Sequence, residues 1–288
     1  MLNKISLLPR LLSISAILLP LGCIVCSRPL RNALLCWRCR PVPPISPVGL
    51  CKICYSHSVW SNSSAPVICQ TCEAFPPLFD TCCYLWEYDR VPRDLIRSMK
   101  FNASPRLARA LGGLLAENLI NHSSTSLFST SPFSTVPLSI APLTTAPSRI
   151  LPWDAITFIP TSYRSGLSRR FNQCELMAHT ISSTIEKQLG TKIPVIELLR
   201  RSFKRAPHST LPHQKRLSRL KSLFRSSDGG KSKRILLIED VVTTGATISA
   251  ACFALRKTGV EHITVASLAR SATWNQYRAT VYEKTVGL

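Results

Sequence analysis

Four aliphatic residues in succession, Ile235 to Ile238, run into a pair of carboxylates, Glu239 and Asp240. An uninterrupted apolar run of this kind predicts a strand buried on both faces. A glycine-bearing turn follows. From 246 to 258 the apolar positions then recur at helical spacing, with Ile248, Ala251, Cys252 and Leu255 on one face. Gly259 ends that helix, and Ile263 to Leu268 form the next apolar strand. Upstream, Ala155 to Ile159 reads as a short strand and Ile193 to Ile196 as another. Between them, residues 173–189 read as a helix carrying Leu176, Met177, Ile181, Ile185 and Leu189 on one side. Strands alternating with helices predict an α/β fold built on a mainly parallel sheet with both faces covered.

Two stretches break this pattern. Residues 123–148 hold 8 Ser, 5 Thr and 4 Pro with no charged residue, and the prolines at 132, 137, 142 and 147 recur every fifth position. That spacing removes helix donors throughout and predicts an extended linker or surface insertion. At the amino end, Leu11 to Val25 is apolar but interrupted by serines and Pro20, and it falls short of the ~20 residues a bilayer-crossing helix needs. Leu11, Leu12, Ile14, Ile17 and Leu18 lie at helical spacing, so residues 1–22 read as an amphipathic segment without stable membrane insertion, in a cytoplasmic protein. A secretory signal is the alternative. Leu21-Gly22-Cys23 stands where a lipoprotein site would, although Pro20 occupies a position that calls for an aliphatic residue.

Ten of the twelve cysteines fall between Cys23 and Cys83. Four Cys-x-x-Cys pairs appear in order: Cys23/Cys26, Cys36/Cys39, Cys51/Cys54 and Cys69/Cys72. Two thiolates three positions apart in a tight turn occupy two corners of a tetrahedron around Zn²⁺, and a second such knuckle closes a Cys₄ shell. Residues 23–85 therefore predict a double zinc ribbon with two structural sites, most simply from consecutive pairs, with interleaved pairing open. A secreted disulfide framework and a thioredoxin-like redox pair are the competing readings. The first fits poorly with one spacing repeated four times, and the second needs one pair alone. Cys82 and Cys83 read as surplus thiols.

Charge changes the picture further. The chain carries 36 Lys+Arg against 15 Asp+Glu, a formal net of +21, which predicts a polyanionic partner. Twelve of those cations and one acid, Asp228, lie between Leu198 and Arg234. Arg200, Arg201, Lys204, Arg205, Lys215, Arg216, Arg219 and Lys221 are the candidate nucleic-acid contacts, for single-stranded DNA in particular. Trp37, Tyr55 and Trp60 are candidate stacking platforms beside them.

The sharpest chemical signal is the strand end itself, Ile235-Leu-Leu-Ile-Glu-Asp-Val-Val-Thr-Thr-Gly-Ala-Thr247. A turn opening a helix presents backbone N–H groups to an anion. Thr243, Thr244 and Thr247 add hydroxyls, and Gly245 lets a phosphate approach the backbone. Glu239 and Asp240 suit ribose hydroxyls or a divalent cation, at the carboxyl edge where open α/β sheets bind ligands.

These thirteen residues resemble the 5-phosphoribosyl-1-pyrophosphate (PRPP) motif of type I phosphoribosyltransferases. Three further stretches resemble elements of the competence-protein-F-like (ComF) family: Leu95-Ile-x-x-Met-Lys-Phe101, Phe158-Ile-Pro-Thr-Ser162, and Arg169-Arg-Phe-Asn-Gln173. Leu199-Arg-Arg201, Arg216 and Phe224 fit that family's basic segment. Arg170, His208 and Arg219 depart from it, replacing its glycine, glutamine and asparagine. The resemblance implies a type I phosphoribosyltransferase-like domain over residues 86–288. Glu239 and Asp240 would meet the ribose hydroxyls, while Thr243, Thr244, Gly245, Ala246 and Thr247 would cradle the 5′-phosphate. It implies a competence factor for DNA uptake that binds PRPP or a nucleotide phosphate. The alternatives are an active phosphoribosyltransferase using PRPP with Mg²⁺, and a zinc-ribbon scaffold for uptake-machinery proteins with a vestigial site.

Overall fold

A computed structural model describes residues 21–23, 26, 28–30, 35–38, 50–55, 68–101, 104–123, 151–161, 171–202, 222–227, 232–271 and 274. The chain divides into two compact units, Met1–Val42 and Pro43–Leu288, a division that falls between the second and third cysteine pairs. In the first unit, β1 (Leu21–Gly22) and β2 (Pro29–Leu30) pair antiparallel, and Cys23 N–H donates to Arg28 O at 2.7 Å to close the turn between them.

Among the described residues of the second unit, the first helix is the short α1 (Gln70–Ala74), followed by β3 (Thr81–Glu87). After it come α2 (Arg90–Phe101), α3 (Pro105–Ser123), β4 (Ala155–Phe158) and α4 (Gln173–Leu189). The chain continues through β5 (Leu199–Arg201), β6 (Phe224–Ser226), β7 (Arg234–Val242), α5 (Ala246–Arg256) and β8 (His262–Arg270). Strands β3, β8, β7 and β4 lie side by side in that order, every neighbouring pair parallel, and β5 pairs antiparallel with β6 in a separate ribbon. Ile235 to Asp240 and Ile263 to Arg270 are buried without interruption, as a parallel sheet covered on both faces requires. Among the described residues no helix is long and apolar enough to cross a membrane.

Local signals set the helices. Asn172 caps α4 by accepting from Cys174 N–H at 3.0 Å, and Gly190, at φ 69°, closes its carboxyl end by donating to Glu186 O. Pro105 starts α3, and Ser104 Oγ accepts from Leu107 N–H. Gly112 lets α3 ride against α4, since a Cβ there would sit 3.0 Å from Met177 Cα. The inner face of α5 (Ile248, Ala251, Cys252, Leu255) is buried as expected, and on α4 Met177, Ile181 and Ile185 are buried while Leu176 and Leu189 are half-buried.

Three expectations are corrected. Ile193 to Ile196 is not a strand: it makes a single parallel bridge, Val195 to Ile156, with Pro194 O accepting from Ile156 N–H and Ile196 N–H donating to Ile156 O. Pro194 has no N–H to extend the ladder. Second, the helix predicted to reach 258 ends at Arg256, before the turn into Gly259 at φ 86°. Third, Tyr55 is no stacking platform. It is 4 % exposed, and its ring meets Tyr84 edge-on at 5.7 Å. Cys82 and Cys83 belong to β3 and are core residues.

Candidate phosphate-binding site and cysteine clusters

Toward its carboxyl end β7 carries the buried Glu239 and Asp240, and the strand closes on half-buried Val241 and buried Val242. Strand alternation places Ile235 and Leu237 in the core that buries α5, so Asp240 falls on the opposite face with Leu236 and Ile238. There it meets two helices. Lys100 Nζ of α2 donates to Asp240 Oδ1 at 2.6 Å, and Gln173 Nε2 of α4 donates to Oδ2 at 2.6 Å. Asn172 adds a strut by donating from Nδ2 to Ile159 O at 3.2 Å, just past β4. Burial, and then the neighbouring Asp240 charge, push the Glu239 carboxyl up to about 8, and among the described residues its buried Oε2 has no hydrogen-bond partner. Burial alone would lower Lys100, but the Asp240 and Glu239 charges more than offset it and the ammonium is shifted upward.

Beyond the acids, Thr243 is exposed, Thr244, Ala246 and Thr247 are half-buried, and Gly245 caps α5 at φ 71°. Thr244 Oγ1 accepts from Ala246 N–H at 3.4 Å, and Gly245 O accepts from Ser249 N–H at 2.8 Å. The turn is therefore fixed in shape, with its N–H groups at the positive end of an eleven-residue helix. Gly245 has a second reason to be glycine. A Cβ would come within 2.7 Å of Trp274 Cε3 and closer still to Cζ3 and Cη2. Trp274 is itself 2 % exposed and stacks on Phe79 at 6.0 Å.

The basic segment is described only at its ends. Arg200 is exposed, whereas Arg201 is half-buried over the Phe224 ring at 5.6 Å. Burial lowers the Arg201 guanidinium, and the nearby Glu239 charge partly offsets this. Lys204, Arg205, Lys215, Arg216, Arg219 and Lys221 lie outside the described residues, as do Trp60, Arg169, Arg170, His208 and residues 124–150. Trp37 is 75 % exposed with the Arg38 guanidinium 4.9 Å from its ring centre.

Consecutive cysteine pairs come together. Cys51, Cys54, Cys69 and Cys72 bring their sulfurs within 4.8 Å of one another, and so do Cys23, Cys26 and Cys36; Cys39 lies outside the described residues. Two sulfur contacts of 3.7 Å, Cys54 to Cys69 and Cys26 to Cys36, span the knuckles, and Cys69 N–H donates to Cys51 Sγ at 3.3 Å. Among the described residues the cysteines form no disulfide with one another. Hydrogen bonding among the four thiols of the second cluster drives Cys51 and Cys69 down and Cys54 and Cys72 up. Both clusters could hold zinc. The knuckle of Cys51 and Cys54 is tied to the sheet, with Cys82 N–H donating to Ile53 O and Tyr84 Oη to Tyr55 O.

Lys100, Gln173 and Cys174 were not singled out as site residues by local pattern. Lys100 and Gln173 do stand in the Lys-Phe and Phe-Asn-Gln stretches quoted above, the one sequence signal that points to them.

The family model for the phosphoribosyl transferase domain matches residues 173–285, from the start of α4 past β8. The DNA utilization protein YhgH of Escherichia coli K12 is 24 % identical over 247 residues, covering 82 % of this chain and 97 % of that protein. Its Salmonella typhi counterpart is 25 % identical over 252 residues with the same coverage. Competence protein F of Haemophilus influenzae is 27 % identical over 118 residues, 41 % of this chain and 51 % of that protein. The chain is thus similar to proteins named for DNA utilization and for competence, and it carries a phosphoribosyl transferase domain. The chain carries the phosphoribosyltransferase fold, with candidate metal-binding cysteine clusters ahead of it in the sequence. Lys100, which bonds to Asp240, lies outside the matched domain.

Proposed function

We propose that this chain binds PRPP or a nucleotide 5′-phosphate at the β7–α5 turn, and single-stranded DNA through the basic segment 198–234, as a DNA-uptake or DNA-utilization factor. The observation that carries the reading is the buried Glu239–Asp240 pair followed, across the β7–α5 turn, by Gly245 in the left-handed region at the head of α5. Carboxylates accept from ribose hydroxyls, and the turn's N–H groups donate to a phosphate, so the two halves match the two ends of a phosphoribosyl group. The names of the relatives support the DNA side, as do 12 cations against one acid between residues 198 and 234. Zinc in both cysteine clusters would be structural, because a closed Cys₄ shell has no open position for substrate. Catalysis is the second reading. Mg²⁺ would neutralise the pyrophosphate of PRPP, and Glu239 and Asp240 would hold the ribose during displacement at the anomeric carbon.

Thermal melts test the phosphoribosyl site. PRPP at about 100 times its Kd stabilises the native state by about 2.7 kcal/mol, roughly 5–10 °C for a chain of this size. Asp240→Asn and Thr247→Ala shrink the shift, and Gly245→Val abolishes it. A wild-type melt unmoved by PRPP sinks the reading.

A further inference from the structure

Asp240 is 4 % exposed, and both of its oxygens are engaged, one by Lys100 and one by Gln173. Cys174 Sγ and a Glu239 oxygen lie with it inside 4.8 Å, a trio of buried donors of the kind that holds a metal ion. Among the described residues the buried Glu239 Oε2 has no hydrogen-bond partner. Buried oxygens so arranged draw a cation. The structure already supplies one in the ammonium of Lys100.

We infer that Lys100 is the built-in counter-ion of the Glu239–Asp240 pair, filling the place of a divalent cation, so that these carboxylates receive a ribose phosphate without metal bound to them. The ligand half of this inference rests on the phosphoribosyl reading above; the counter-ion half stands on the geometry alone.

Three features argue for it. Leu95, Ile96 and Met99 are fully buried and lock α2 down, which fixes the base of the Lys100 side chain. That side chain remains 21 % exposed, open to an arriving ligand, and Asp240 uses one of the three donors an ammonium carries. Asp240 Oδ1 is already paired with the Lys100 ammonium at 2.6 Å, and the buried Cys174 sulfur and Glu239 carboxylate oxygen lie within 4.8 Å of Asp240. A divalent cation would add two positive charges beside the Lys100 ammonium that already pairs with Asp240.

The test is Mn²⁺ binding to the zinc-loaded full chain, read by electron paramagnetic resonance in wild type, Lys100→Arg, Lys100→Met, Asp240→Asn and Lys100→Met/Asp240→Asn. Wild type and Lys100→Arg are expected to bind no Mn²⁺ that Asp240→Asn removes. Lys100→Met gains one Mn²⁺ per chain, and the double variant loses it. In a parallel thermal melt, ribose 5-phosphate shifts wild type equally in divalent-free buffer and with Mn²⁺, while Lys100→Met responds only with Mn²⁺. An Asp240-dependent Mn²⁺ in wild type, or none gained by a folded Lys100→Met, overturns the inference. Should Lys100→Met not fold, the comparison of wild type with Asp240→Asn decides it. Ribose 5-phosphate without effect on wild type refutes the phosphoribosyl reading instead, and the Mn²⁺ counts still decide the role of Lys100.

Discussion

Replacing Gly245 by alanine puts two separate demands on the β7–α5 turn, and a double-mutant cycle can separate them. The first is backbone strain. At φ 71° an L-residue costs about 1–2 kcal/mol. The second is collision, because the new Cβ falls inside the van der Waals envelope of the Trp274 ring, which is held in place by its stack on Phe79. Forcing an extra methyl into a packed site costs about 1–3 kcal/mol. Gly245→Ala should therefore destabilise by about 2–5 kcal/mol in total. Trp274→Ala alone should cost about 3–5 kcal/mol, as expected for a buried aromatic truncated to alanine. The two changes are not independent, since removing the ring removes the collision. The double variant should accordingly be about 1–3 kcal/mol more stable than the sum of the singles predicts. Urea unfolding of the four zinc-loaded proteins, followed by circular dichroism, measures all of these quantities. Additivity within about 0.5 kcal/mol, or a Gly245→Ala protein as stable as wild type, refutes the claim that Trp274 braces the turn.

Two further outcomes are expected. Freshly purified, reduced protein should contain about two Zn²⁺ per chain by elemental analysis, as four thiolate knuckles shared between two sites require, and Cys51→Ser should lower that content and loosen the β3 edge that Ile53 and Tyr55 bond to; zinc-free protein would revive the disulfide reading. Single-stranded DNA should bind with log K falling against log[salt] at a slope near −3 if about four phosphates are neutralised. Replacing Arg200, Lys204, Arg205 and Lys215 by alanine should flatten that slope in a fluorescence-anisotropy titration. Arg201 is left out because its packing on Phe224 would mix a folding effect into the result.

Elements with one strong period were legible in the sequence. Ile235 to Ile238, the inner face of α5 and residues 173–189 follow from run length or helical spacing, and the structure places them as strand, helix and helix. Ile193 to Ile196 had strand composition but not a strand's donors, because Pro194 interrupts them. Strand β3 was hidden for a different reason: Cys82 and Cys83 sit next to the cysteine pairs and read as part of their module, while their side chains fill the core of the sheet. The site was half legible. Its carboxylates, threonines and glycine are contiguous, so one stretch of sequence displays them. Lys100 reaches Asp240 across 140 residues and Trp274 reaches Gly245 from beyond β8; local pattern shows neither contact, and the Lys-Phe stretch marks Lys100 only by resemblance. Tyr55 was misread because an aromatic ring beside a cysteine knuckle has the same local sequence whether it faces solvent or Tyr84.

A crystal of the full chain soaked with PRPP and Mg²⁺ tests the central claim most directly. The account predicts the 5′-phosphate on the backbone N–H groups of Thr243 to Thr247, with the ribose hydroxyls within hydrogen-bond distance of Glu239 and Asp240 and Lys100 still bonded to Asp240. PRPP bound elsewhere, or a β7–α5 turn left empty at saturating ligand, would contradict it.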